Sequence, residues 1–176
     1  MNWMPDDAWW SLTPPITGGS TNRSSQLLEQ ILDQFDVETS KRYRRAPEGT
    51  KCNIFVWDAT RALACEVPQR ELTSRGLVQQ NANAMCDWLL GNMGRQHAWN
   101  EVAEHVARSR ADSGFPVVVT QKNPGGIGHI AMGTRAPEGA EPGKLWIAQA
   151  GGKNFRRGRV LEGFLATIPV RFFTHN

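Results

Sequence analysis

Apolar residues in the first two thirds of the chain recur at helical spacing, whereas in the last third they gather into short runs broken by proline and glycine. Leu27, Leu28, Ile31, Leu32 and Phe35 form one stripe behind Ser24 and Ser25, whose hydroxyls suit an N-cap, and so predict an amphipathic helix. Pro47-Glu48-Gly49 reads as a turn. Cys52, Phe55, Val56, Ala59, Ala62 and Leu63 then fall at i, i+3, i+4, i+7, i+10 and i+11. That stripe predicts a second helix over about 51–64, with Thr50 as its cap and Cys52 facing inward from the first turn. Two more helices are expected over about 79–92 and 99–111, closed by Gly114.

After Gly114 the period changes. Runs at 117–119, 128–134, 144–150 and 170–174 read as strands. Helices followed by antiparallel strands imply an α+β fold, with N-terminal helices packed on one side of a C-terminal antiparallel β-sheet. Residues 1–22, where Trp3, Trp9 and Trp10 alternate with Pro5, Pro14 and Pro15, predict an irregular arm whose tryptophans dock on the body. Residues 23–176 then form a single domain, and a chain of 176 residues is long enough to bury a core.

Composition narrows the class. No run approaches the roughly 20 apolar residues that span a bilayer, so no membrane span is expected. The segment from Met1 to Asp7 has neither a basic stretch nor an apolar core and does not read as a secretory signal, which predicts synthesis in the cytoplasm. The three cysteines cannot all pair, so free thiols are expected. A net charge of +3 comes with two basic clusters, Lys41, Arg42, Arg44 and Arg45, then Lys153, Arg156, Arg157 and Arg159. Each cluster is either solvated surface or a patch attracting an anionic polymer. No nucleic-acid motif accompanies them, and no nucleic-acid partner is expected. Neither a Cys-x-x-Cys nor a His-Glu-x-x-His pattern suggests a metal.

The chemistry is carried by one thiol and one imidazole. Cys86 shares a helical stripe with Met85 and Leu89 and reads as core filler, and Cys65 ends its helix. Cys52 alone stands at a helix start, where unpaired N–H groups and the helix dipole favour thiolate. Among the histidines, His97 and His105 belong to a helix and His175 to the terminus, while His129 lies on a strand with Ala131 and Gly133 on its face. Those small neighbours predict room for the helix terminus to approach. A hairpin joining 128–134 to 144–150 and centred on Gly139 sets His129 opposite Gln149, whose carbonyl oxygen would orient the ring; Asn154 is the fallback. The oxyanion donors expected are the Cys52 N–H and the Tyr43 hydroxyl. Asn53, Gly128, Gly151 and Asn154 are expected to meet substrate, the glycine-rich run 123–128 letting its backbone pass close to His129.

Cys52-Asn53-Ile54-Phe55-Val56-Trp57-Asp58 at a helix start, Gly128-His129-Ile130-Ala131-Met132 on a strand and Ile147-Ala148-Gln149-Ala150-Gly151 on the next resemble the papain-like cell-wall hydrolases, nearest the NlpC-type and CHAP-type amidases and endopeptidases. The likeness runs from about Tyr43 to Phe173. It implies a papain-like fold and hydrolysis of amide bonds in peptidoglycan peptides, with no metal or cofactor. It places Cys52 as nucleophile, His129 as base, Gln149 at the third polar position and Tyr43 behind the cysteine. The chain departs from the family in reading Lys51-Cys52-Asn53 where Asp-Cys-Ser is common, and in having Gln as third residue. An antibacterial effector, which would have a small immunity or inhibitor protein as partner, and a phage lysis enzyme both fit. Two further readings stay open: a papain-like toxin that deamidates or cross-links protein glutamines, and a catalytically silent binding module.

Overall fold

The computed structural model describes residues 15–47, 49–74 and 76–176. Trp3, Trp9 and Trp10 of the expected arm lie outside the described residues. Residues 16–18 dock on the body: the Gln34 side-chain amide exchanges two hydrogen bonds of 2.8 Å with the Ile16 backbone, and the Gly18 N–H donates to Ala62 O at 2.8 Å.

The fold is α+β. Helix α1 spans Ser25–Asp33 behind Ser24, whose hydroxyl accepts from the Leu27 N–H, and buries Leu28, Ile31 and Leu32. Helix α2 spans Cys52–Ala62 and buries the predicted stripe whole. Strands β1 (Arg70–Thr73) and β2 (Gly76–Gln79) form a hairpin that the helical reading of residue 79 overlooked. The expected third helix is interrupted at Gly91, giving α3 (Ala82–Leu90), capped by the Asn81 side-chain oxygen, which accepts from the Ala84 N–H, and α4 (Asn92–Gln96). The expected fourth helix starts late: Trp99–Val102 is strand β3, and α5 covers Glu104–Asp112. Strands β4 (Val117–Gln121), β5 (His129–Thr134), β6 (Trp146–Ala150) and β7 (Asn154–Arg159) follow. A short helix α6 (Val160–Gly163) then leads to β8 (Arg171–His175).

Six of these strands pair antiparallel in the order β3-β8-β4-β5-β6-β7. Period-2 alternation sends Ile130, Met132, Ala148 and Ala150 to one face, where α1, α2 and α3 cover them. Ala131, Ile147, Val117 and Val119 face the other way, under Ala107 and Ala111 of α5 and Phe164 after α6. The helices are therefore not confined to one side. Central strands β4 and β5 bury both faces, which explains their unbroken apolar reading. Among the described residues no helix is long and apolar enough to cross a membrane.

The second basic cluster is largely spent on this architecture. Arg156, 9% exposed, donates to Asp33 Oδ1 at 2.6 Å, Glu29 Oε2 at 2.9 Å and Thr134 Oγ1 at 2.8 Å, tying β7 and β5 to α1. Arg157 also pairs with Glu29, and Arg159 with Glu141 at 3.5 Å. In the first cluster Arg42 is held by Asp58 at 2.7 Å.

Candidate active site

The N-terminus of α2 abuts the start of β5, and this junction holds the thiol and the imidazole. The Phe55 N–H makes the first rung of the helix, donating to Lys51 O at 3.0 Å, so the amides of residues 52–54 open at the helix end. The N-cap position is Lys51 and carries no side-chain cap bond. Thr50, expected to cap, instead points its hydroxyl at Cys52 Sγ, 3.7 Å away. The thiol is 3% exposed and hydrogen-bonds the His129 ring, with the Ile130 N–H as a further donor.

The ring is oriented from its far side. Gln149 Oε1 lies 2.6 Å from His129 Nε2, and Gln149 Nε2 donates to the Lys153 carbonyl at 2.9 Å. A carbonyl only accepts, so the amide nitrogen must face Lys153 and the amide oxygen must face the ring. His129 Nε2 therefore carries the proton, and Nδ1 is left for the thiol.

The hairpin register differs from expectation by two residues. Met132 pairs with Ala148 and Thr134 with Trp146, which centres the hairpin on residue 140 and sets Gln149 beside Ala131. A shift of two preserves the face, and Gln149 reaches His129 diagonally. The β6–β7 pairing slips between Ile147 and Gln149, a bulge where this side chain is aimed. The thiol also arrives differently. The small face of His129, Ala131 and Gly133 is covered by α5, while α2 packs on the opposite face. Thiol and ring meet around the end of β5, not across its face.

Electrostatics bias the pair toward charge separation. Burial pushes the Cys52 thiol up, but the hydrogen bond and charge of His129, with Thr50 and Ile130, outweigh it and hold the thiol below its ordinary range. Burial likewise pushes His129 down, and the Cys52 hydrogen bond and charge, then Gln149, bring it above the ordinary imidazole value. At the other cysteines burial outweighs the partners, Arg23 beside Cys65 and Thr120 beside Cys86. Burial drives Cys65 up to about 12 and also raises Cys86.

Tyr43 is not brought to the thiol. Its hydroxyl donates to Asp58 Oδ2 at 2.8 Å, inside a cluster of edge-on rings with Phe35 and Phe55. Asp58 lies six residues beyond Cys52 on α2, about 9 Å of helix rise away. The backbone donors beside the thiol are those of the helix start itself. Tyr43→Phe should thus cost about 1–3 kcal/mol of stability by removing one donor from the buried Asp58 carboxylate, which keeps Arg42, seen as a lowered denaturation midpoint, while kcat on any substrate stays within twofold. A large loss of kcat in folded protein would return Tyr43 to the site.

Asn154 is likewise occupied, donating to Val37 O at 3.0 Å and Tyr43 O at 2.8 Å, so it braces the 37–43 loop and does not orient the ring. Asn53 donates to Gln80 O at 2.9 Å and joins α2 to the β2–α3 link. Gly128 makes room for a neighbour, not for substrate: a Cβ there would overlap Asn83 Oδ1. Asn83 accepts from the Asn123 N–H and donates to Asn123 O and Gly126 O, pinning the glycine-rich run to α3. Gly151 is buried behind the dyad, where a Cβ would stand 2.8 Å from Gln149 Nε2 and 3.2 Å from His129 Cε1.

Three contributors were not foreseen. Phe164 packs its ring on His129, centroids 4.8 Å apart. Buried Gln121 holds the Phe164 loop, donating to Leu165 O and Ile168 O and accepting from the Leu165 N–H. Gly163 lies so close to Gln149 Oε1 that any Cβ would overlap it. Gly163→Ala should displace that oxygen from His129 and lower kcat/KM roughly 100-fold, with a folded far-UV spectrum. An alanine variant of full activity would show that Gln149 does not orient the ring.

A cavity of about 410 Å³ opens on the thiol side, lined by Thr50, Cys52, Asn53, Gln80, Gly126 and Ile127 among others. A second, of about 380 Å³, is lined by Arg44, Arg45, Gly151 and Asn154, with Glu38 and Ser40 on its wall. No group of His, Cys, Asp and Glu among the described residues is placed to hold a metal ion. No family model matches the chain, and no curated protein matches it.

Proposed function

We propose that this protein is a cysteine hydrolase with a papain-like arrangement that cleaves amide bonds in peptidoglycan peptides. The observation that carries the reading is the Cys52–His129–Gln149 relay at a helix N-terminus, with the thiol biased to thiolate and a cavity beside it. The likeness of the three motifs to NlpC-type and CHAP-type enzymes supports the choice of substrate. In the reaction Nδ1 of His129 takes the thiol proton and the thiolate attacks the carbonyl carbon. The amides at the start of α2 receive the oxyanion. The C–N bond breaks as the imidazolium returns its proton to the leaving amine. Water then adds to the thioester with His129 as base, releasing the acid and restoring the thiol.

In this reading the protein works on the wall after delivery by a secretion system or by lysis, and as an effector it would meet a small immunity protein. Incubation with purified sacculi, followed by mass spectrometry of the released peptides, tests the proposal and identifies the bond. Absence of release over hours at micromolar enzyme, with glutamine deamidation of added protein instead, would favour the toxin reading.

A further inference from the structure

We propose that Gln121 and Phe164 act as one positioning unit: Gln121 clamps residues 164–168 so that the Phe164 ring shuts water out of the His129–Gln149 hydrogen bond. This rests on the Cys52–His129 pair of the hydrolase reading above. The imidazole is met on several sides. Cys52 hydrogen-bonds the ring, Gln149 Oε1 stands 2.6 Å from Nε2, and Gly151 backs onto Cε1, where a Cβ would come within 3.2 Å. Phe164 lies against the ring, 4% exposed and with centroids 4.8 Å apart. Gly163 beside it is close enough to Gln149 Oε1 for any Cβ to overlap that atom. Neighbouring residues of one loop thus cover both ends of the same hydrogen bond.

The loop is tied to the sheet from beneath. Of residues 161–168, Phe164 alone is buried. The tie is Gln121, 3% exposed at the end of β4. The β4–β5 register sets it directly opposite His129, so both side chains leave the same face. Its Nε2 donates to Leu165 O at 2.7 Å and Ile168 O at 2.8 Å, and its Oε1 accepts from the Leu165 N–H at 3.1 Å. Carbonyls only accept, so the amide has one orientation here and both of its N–H bonds are used. Burying an amide costs free energy unless partners return it, and an apolar side chain would fill a central strand without that cost. All three bonds go to the loop that carries Phe164 onto His129. Water competes for a hydrogen bond it can reach, and excluding it strengthens the bond. Behind Phe164 and Gly163 the Nε2 proton stays on Gln149, which keeps Nδ1 aimed at the thiol.

The test needs no substrate, so failure to digest sacculi would leave the unit standing, and loss of the unit would leave the hydrolase reading standing. Proton–nitrogen NMR of wild type near neutral pH should show a His129 Nε2–H resonance, absent from His129→Ala, because the proton is kept from water. In Q121L and in F164A its exchange should quicken at least roughly tenfold, erasing the resonance. The iodoacetamide curve of Cys52 should move to higher pH in both, by less than in His129→Ala. The double variant should do no more than either single one, since both act through one contact. L161A, which trims an exposed side chain on the same segment, should change neither reading. Absence of the resonance from wild type, its survival in either folded variant, or an unmoved alkylation curve overturns the unit. Should Q121L not fold, F164A alone decides.

Discussion

Cys52→Ala should abolish peptide release from sacculi, to below about 10⁻⁴ of the wild-type rate, in a protein that remains folded. Alanine keeps the buried position and the helix start but removes the sulfur that the proposed reaction needs. Nothing else near His129 can replace it, since Tyr43 is bound to Asp58 and the Thr50 hydroxyl is turned to the sulfur it would have to supplant. Cys65 and Cys86 give no rescue, because burial keeps both as thiols at neutral pH. Mass spectrometry of the sacculus digest checks this, with near-UV circular dichroism as the fold control. Release persisting in the alanine variant would refute Cys52 as nucleophile and with it the cysteine mechanism.

His129→Ala should lower kcat/KM by about 10²–10⁴-fold and move the alkylation curve of Cys52 to higher pH. The sign follows from the forces on the thiol. His129 supplies the hydrogen bond and the charge that hold the thiol below its ordinary range, and burial acts the other way. Removing the ring leaves burial opposed only by Thr50 and the Ile130 N–H, so the thiolate forms later as pH rises. In wild type, iodoacetamide should label Cys52 at neutral pH, well ahead of Cys65 and Cys86. The activity profile should be bell-shaped. Its acid limb, where Cys52 takes a proton, falls below the ordinary thiol value of 9.0, and its alkaline limb, where His129 loses one, falls above the ordinary imidazole value of 6.5. Equal labelling of Cys52 in wild type and H129A across pH 6–9 would show that the thiol is a packed residue and not half of a pair.

The local signals in the chain decided a definite part of this picture. The 3.6-residue stripe from Cys52 to Leu63 determined that this thiol starts a helix and faces inward, because helix periodicity is written in neighbouring residues. Strand alternation fixed the face of His129 and of Gln149 in the same way. It is insensitive to a register shift of two, and so the expected partnership of ring and amide carried over although the hairpin centre did not. Strand β3 reads as helix in sequence, since Trp99 and Val102 lie three apart, and only pairing with β8 makes it extended. Strand β7 carries three arginines, and the burial of Arg156 among them depends on carboxylates supplied by α1 more than a hundred residues away.

Only the tertiary structure decided the rest of the site. It set which way Gln149 points, through the Lys153 carbonyl and the bulge, and withdrew Tyr43 and Asn154 by giving their polar atoms other partners. It brought Gln121, Gly163 and Phe164 to the back of the imidazole. Periodicity records which side of an element is buried, whereas hydrogen-bond partners are assigned by contacts between distant segments. The sequence by itself therefore determined the candidate thiol and imidazole and their faces, and the packing of the elements determined what holds them in place.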